Sequence, residues 1–196
     1  SSMNRRLFIS VLFVCLLSFT VRAQQGTFRF AQLTDIHLSP NNPNPTEDLL
    51  RSIAQINAID SLDFVLVTGD LTEEGDRATM EKVKSCLDLL KVKYYVALGN
   101  HETKWSDSGC TAFGEIFGGE RFDFEHKGFL FLGFNSGPLM RMAYGHVVPQ
   151  DIRWMTERMS RYNTGNPRKN NPVILVTHYP MTEGDVDNWY AGSSSS

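Results

Sequence analysis

Apolar residues fall in short blocks, and four of these read as buried strands: Phe28 to Leu33, Phe64 to Val67, Tyr94 to Leu98 and Val173 to Val176. After the first, Ser39-Pro40-Asn41-Asn42-Pro43-Asn44-Pro45 must be a loop. Thr46, followed by Glu47-Asp48, then predicts a helix N-cap with acids in the first turn. Leu49, Leu50, Ile53, Ile56 and Ile59 mark one face of that helix. A second helix is predicted from about Asp76 to Lys91, with Met80, Val83, Leu87 and Leu90 inward. This order of strands and helices predicts right-handed crossovers and a parallel sheet, an α/β fold. The pattern then changes. Phe122 to Glu125 and Phe129 to Phe134 flank His126-Lys127-Gly128 as a β-hairpin, and a third helix, about Pro149 to Tyr162, carries Ile152, Trp154, Met155 and Met159. Asn163 to Asn171 reads as a loop, and neither an internal repeat nor a linker divides the chain.

Composition changes this picture little, and the amino terminus changes it more. The chain has 196 residues, 41% hydrophobic and 21% charged, enough for one domain with a sizeable core. Ser1-Ser2 reads as an added scar, and the basic Met3-Asn4-Arg5-Arg6 leads into an apolar stretch, Leu7 to Val21. Small residues at Val21-Arg22-Ala23 predict a signal peptide cleaved after Ala23 and an exported, periplasmic or secreted protein. The alternative, an uncleaved anchor, would need about 20 apolar residues, more than this run supplies. Cleavage removes Arg5, Arg6 and Arg22, leaving 16 basic residues against 22 acidic ones, a net charge of −6. That balance argues against duplex nucleic acid as a partner, and no stable membrane span remains. It also leaves Cys86 and Cys110, which could form a disulfide or stay as two unpaired thiols, the reading favoured here. The organisation expected is scar plus signal peptide over 1–23, one domain over 24–190, and an artificial or disordered tail over 191–196.

The chemistry sits where the apolar blocks end. Asp35-Ile36-His37, Gly69-Asp70, Gly99-Asn100-His101-Glu102 and Thr177-His178 each follow a predicted strand, at the sheet edge where α/β folds bind ligands. Asp35 and His37, two apart in an extended segment, would point the same way and reach one ion. Gly69 would let the backbone turn tightly, and the two oxygens of Asp70 could bridge two ions. Asn100 offers a carbonyl oxygen and His178 an imidazole. Mixed nitrogen and oxygen donors without Cys suit Mn, Fe or Zn.

In this order the four clusters resemble the calcineurin-like metallophosphoesterase superfamily, over about Phe28 to Trp189. The resemblance implies an α/β sandwich of two mixed β-sheets flanked by helices, and a hydrolase with two divalent or trivalent transition-metal ions. By it, Asp35 and His37 hold one metal, Asp70 bridges, and Asn100 and His178 hold the other. His101 would protonate the leaving oxygen, with Glu102 as its partner, while a hydroxide between the metals attacks phosphorus. The substrate would be a small phosphomonoester, phosphodiester or nucleotide. One departure stands out: the Gly-His-x-His element such families carry after the His178 position is not found here, because Gly145-His146 precedes His178 and is followed by Val147-Val148. The chain therefore reads as the N-terminal part of the domain, with room for a further C-terminal domain.

Other polar residues have plainer readings. His126 and His146 read as structural histidines, and Asp63, Asp76 and Asp123 as loop, cap or surface carboxylates. Trp154, with Ile152 and Met155, reads as core; Asn135 and Tyr179 lie near the edge of the site. The rival function is a non-catalytic scaffold that keeps the fold, and His101 weighs against it, since a structural metal site does not need it.

Overall fold

Two kinds of strand build the molecule in the computed structural model, which describes residues 26–106, 108–138, 145–164 and 172–180. The first sheet holds β1 (Phe30–Leu33), β2 (Phe64–Thr68) and β3 (Lys93–Ala97), parallel and in sequential order, with Phe30 opposite Phe64 and Phe64 opposite Lys93. Helices α1 (Asn44–Asn57) and α2 (Arg77–Leu87) are the crossovers. The second sheet holds β4 (Phe122–His126), β5 (Phe129–Gly133) and β6 (Val173–Val176), with β4 antiparallel and β6 parallel to β5. It is mixed, as expected, whereas the first is parallel throughout its described strands. Helix α3 (Thr111–Phe117) packs beside α2, and α4 (Pro149–Thr164) covers the second sheet.

The period-two alternation of strands explains the layers. Along β2, Val65 and Val67 face α1 and α2, meeting Leu49, Ile53, Met80 and Val83, while Phe64 and Leu66 face the second sheet. In β5, Phe131 faces the first sheet while Leu130 and Leu132 face Met155 and Tyr162 of α4. Aromatic rings fill the space between the sheets: Phe64 and Phe131 lie edge to face at 5.2 Å, and Tyr95 and Phe124 stack at 3.7 Å. Each such ring contributes about 1.5–3 kcal/mol by leaving water.

Several sequence expectations shift. Helix α1 starts at Asn44, because Pro at its first positions presets the backbone; Thr46 lies inside it and caps nothing. Leu50 lies about a quarter of a turn off the Leu49–Ile53–Ile56 stripe and is exposed, as are Ile59, beyond the helix, and Ile152. In the first turn of α4 the buried residue is Asp151, which is paired with Arg121. Helix α2 stops at Leu87; Asp76 caps it by accepting from the Thr79 N–H at 2.9 Å. The hairpin turn is only Lys127-Gly128, both at positive φ. Helix α3 was not expected. Cys86 and Cys110 are both free, and burial pushes the Cys110 thiol up to about 12. Among the described residues no helix is long and apolar enough to cross a membrane. Of the loop expected over Asn163 to Asn171, Asn163 and Thr164 continue helix α4, and residues 165–171, like the expected signal segment and the terminal tail, lie outside the described residues.

Candidate metal centre

The parallel order of β1, β2 and β3 brings three of the polar clusters to one edge, and β6 delivers His178 to the same edge. The loop after β1 follows the loop after β2 closely. Asp35 N–H donates to Gly69 O at 3.1 Å, His37 N–H to Asp70 O at 3.0 Å and Leu38 N–H to Leu71 O at 3.0 Å. This pairing holds Asp35, His37 and Asp70 in the left-handed region, with φ of 54°, 49° and 51°. Side chains rarely accept that conformation, and where they do the surroundings must impose it, often at a working site. Asp35 and His37 therefore converge through two left-handed turns, not through strand alternation. Gly69, at φ 96°, and Gly99 are required by contact: a Cβ on Gly99 would lie 2.1 Å from the Asp70 carboxylate, and one on Gly69 would lie 2.7 Å from Gly99 itself.

Asp70 is the centre. Only 4% exposed, its Oδ2 lies 3.2 Å from His178 Nε2, 3.7 Å from His37 Nε2 and 3.9 Å from His101 Nε2. Its Oδ1 accepts the His101 backbone N–H at 3.0 Å. Burial pushes the Asp70 carboxyl up, but His178 and that N–H outweigh it and hold the carboxyl below its usual range. Burial likewise disfavours a charged His178, yet the Asp70 carboxylate raises its pKa. His178 Nε2 also faces Asn100 Oδ1 at 3.2 Å, so two oxygens meet one ring nitrogen.

Each imidazole is turned by a group behind it. His178 Nδ1 donates to Thr68 O at 2.9 Å, and His101 Nδ1 donates to Glu73 O. His37 Nδ1 lies 3.0 Å from the Glu73 carboxylate, out of line for a hydrogen bond. All three Nε2 atoms are thereby aimed inward, the arrangement that metal-binding histidines show. Two sets of donor atoms come within 4.8 Å of one another, His37 with Asp70 and His101, and Asp35 with Asp70 and His178. Asp70 is common to both sets. Asp35 falls in the set with His178 and His37 in the set with His101, while Asp35 Oδ1 also lies 3.8 Å from His37 Nε2, so the two side chains expected at one ion are neighbours as well.

Glu102 departs from its expected place beside the His101 ring. It is fully buried, and its carboxylate accepts from backbone N–H groups of Leu71 (2.9 Å), Thr72 (3.1 Å) and Gly99 (2.9 Å), tying the loop after β2 to the loop after β3. The group behind His101 is Glu73, which sequence reasoning missed, although it lies three residues past Asp70. Asn135 and Ser136 line the flank: Asn135 bonds Glu120, and the Tyr179 N–H donates to Ser136 Oγ at 3.0 Å. His126 and Asp63 pair far from the site, as their plainer readings expected, and Asp123 pairs with Arg158.

Comparison with known proteins points the same way. The family model for calcineurin-like phosphoesterases matches residues 28–195. A 3′,5′-cyclic-nucleotide phosphodiesterase of Nostoc sp. is 25% identical over 157 residues, covering 76% of this chain and 56% of that protein. A probable glycerophosphodiester phosphodiesterase of Arcobacter nitrofigilis is 24% identical over 174 residues, covering 80% and 59%. The chain thus spans little more than half the length of these two relatives. A purple acid phosphatase from yellow lupin seeds superposes with a TM-score of 0.46 at 16% identity, over 78% of this chain and 30% of that one.

Proposed function

The chain belongs to the calcineurin-like phosphoesterase family, and from that premise we propose that it is an exported phosphoesterase working with two transition-metal ions. One observation carries the reading: three imidazole Nε2 atoms lie 3.2–3.9 Å from a single buried carboxylate oxygen, each turned inward from behind. The donor set fits metal ions. Nitrogen and oxygen donors without sulfur suit Mn, Fe or Zn, and two donor sets sharing Asp70 suit a pair of ions. Asp35, His37, Asp70, Asn100 and His178 would hold them, and bound there they would supply Lewis-acid stabilisation and a water of lowered pKa.

The chain's own residues supply the rest. Glu73 O fixes His101 Nδ1 as the donor behind, so Nε2 faces the centre and, when protonated, can give its proton to the departing ester oxygen. Glu102 holds the two loops in register, which keeps Asp70 and His101 at their spacing. The names of the two relatives favour small phosphodiesters as substrates. The rival scaffold reading gives no reason for an imidazole aimed at the centre from the His101 position. In metal-loaded protein, His101→Ala is expected to keep both ions and to lower turnover of a chromogenic phosphodiester about a hundredfold, the usual size of a lost general acid. Undiminished turnover would remove His101 from that role.

Export rests on the basic start and apolar run before Ala23. Mass spectrometry of protein recovered from cells is expected to find a mature terminus at Gln24; an intact leader in the cytosolic fraction would refute export.

A further inference from the structure

The residues that follow Asn100 form a single π-helical turn, His101–Trp105, a rare geometry often found at working sites. Its inner side is fastened. Glu102 is fully buried with its carboxylate in backbone hydrogen bonds, and Thr103, also buried, donates to Asn100 O at 3.3 Å. Its outer side presents Lys104 and Trp105. The Trp105 indole is 50% exposed, with its ring 6.5 Å from the His101 ring and tilted 57° to it. Lys104 Nζ lies 4.9 Å from the indole centroid. Among the described residues Lys104 forms no ion pair with a carboxylate, whereas Lys84, Lys127, Arg77 and Arg158 all do.

A single exposed apolar residue ordinarily needs no explanation. This one differs in three ways: its turn is anchored by buried groups, it adjoins the histidine that faces the centre, and beside its ring sits a cation with no carboxylate partner among the described residues. We propose that Trp105 is a stacking platform for the organic part of the substrate, with Lys104 attracting its negative charge, so that the site selects phosphodiesters carrying a nucleobase. The inference rests on the phosphoesterase reading of the same centre. A planar base stacks on an aromatic face whatever its sequence, an interaction that alanine substitution shows to be worth about tenfold or more in affinity. A glycerol-based diester has no such ring and gains nothing from the indole. His101 neighbours both, with its Nε2 3.9 Å from Asp70 and its ring 6.5 Å from the indole, so an ester arm reaching past His101 from a phosphoryl group at the centre would meet Trp105.

The test compares 3′,5′-cyclic AMP with glycerophosphoethanolamine in metal-loaded protein. Trp105→Leu is expected to lower the ratio of kcat/KM for the first to that for the second about tenfold, through KM, with metal content unchanged; Trp105→Phe should restore most of the ratio. Binding gives a second measurement. AMP, but not glycerol 3-phosphate, should quench indole fluorescence in the unaltered protein and fail to do so in Trp105→Leu. An unchanged ratio, or quenching that persists in Trp105→Leu, overturns the proposal. If the unaltered protein turns over neither diester, the phosphoesterase reading fails, while the quenching, which needs no turnover, still decides for or against the platform.

Discussion

Two clusters of Asp and His lie at opposite ends of the sheets, and they do different things. At the amino end, Asp63 accepts from His126 Nε2 at 2.9 Å, from Lys127 Nζ at 2.8 Å and from the Arg29 N–H at 2.9 Å. It clasps the start of β2 and the end of β1's approach to the hairpin turn of the second sheet, and Lys127, bonding first among these partners, holds its carboxyl well below the usual range. At the carboxyl end, Asp70 faces three imidazoles and no Lys or Arg among the described residues. The pairing of Asp with His is common to both clusters. What separates them is the cation: the first cluster contains Lys127, while the second gathers carboxylate and imidazole donors with no Lys or Arg among the described residues. The carboxylates differ in backbone geometry too, since Asp35 and Asp70 are held left-handed and Asp63 is not; in the first cluster only Lys127, in its hairpin turn, has positive φ.

The comparison is broken most directly by removing each carboxylate in turn. Asp70→Asn is expected to abolish stoichiometric metal binding, because the shared charge of both donor sets is lost, and phosphodiester turnover should fall with it. Asp63→Asn is expected to leave metal content unchanged and to lower the thermal unfolding midpoint. Because the Asp63 pKa is depressed in the folded state, the stability it contributes is present above the ordinary carboxyl range and is lost as pH falls through its folded value, so the difference from the variant should fade below about pH 4. Metal analysis and unfolding curves measured together decide the matter; equal loss of metal in both variants would erase the distinction.

The sequence already shows which end is which, but not how the end works. The four polar clusters are visible because each follows an apolar block, and β1, β2, β3 and β6 all lie within two residues of where those blocks place them. The residues behind the histidines are not visible. Glu73 and Thr68 act on His101, His37 and His178 through contacts 28 to 110 residues apart, which no local pattern encodes. The left-handed turns at Asp35 and His37 arise from hydrogen bonds to the neighbouring loop, so the two side chains approach each other through a geometry that an extended-strand argument does not contain. The π-helical turn is equally silent, since its sequence His101-Glu102-Thr103-Lys104-Trp105 has no period that distinguishes it from a loop.

A finer test concerns Glu102, the residue whose neighbours the sequence misplaced. Burial pushes its carboxyl pKa up, and the charge of Asp70 adds to that, while the N–H groups of Gly99, Thr72 and Leu71 oppose it. Every contact to its two oxygens comes from a donor, the Thr72 hydroxyl included, so the ionised form is the one that fits. Glu102→Gln keeps the shape but turns an amide N–H₂ toward one set of those donors. In the better orientation the Gly99 N–H loses its acceptor; in the other, three donors lose theirs. A buried donor left unpaired costs about 1–3 kcal/mol, and that is the loss expected from urea unfolding of the variant. Metal affinity should weaken less than in Asp70→Asn, because the ligands remain and only the register of their loops is loosened. If Gln is instead neutral for stability, Glu102 is held as the acid, and the loops after β2 and β3 owe their register to the close approach of Gly69 and Gly99 alone.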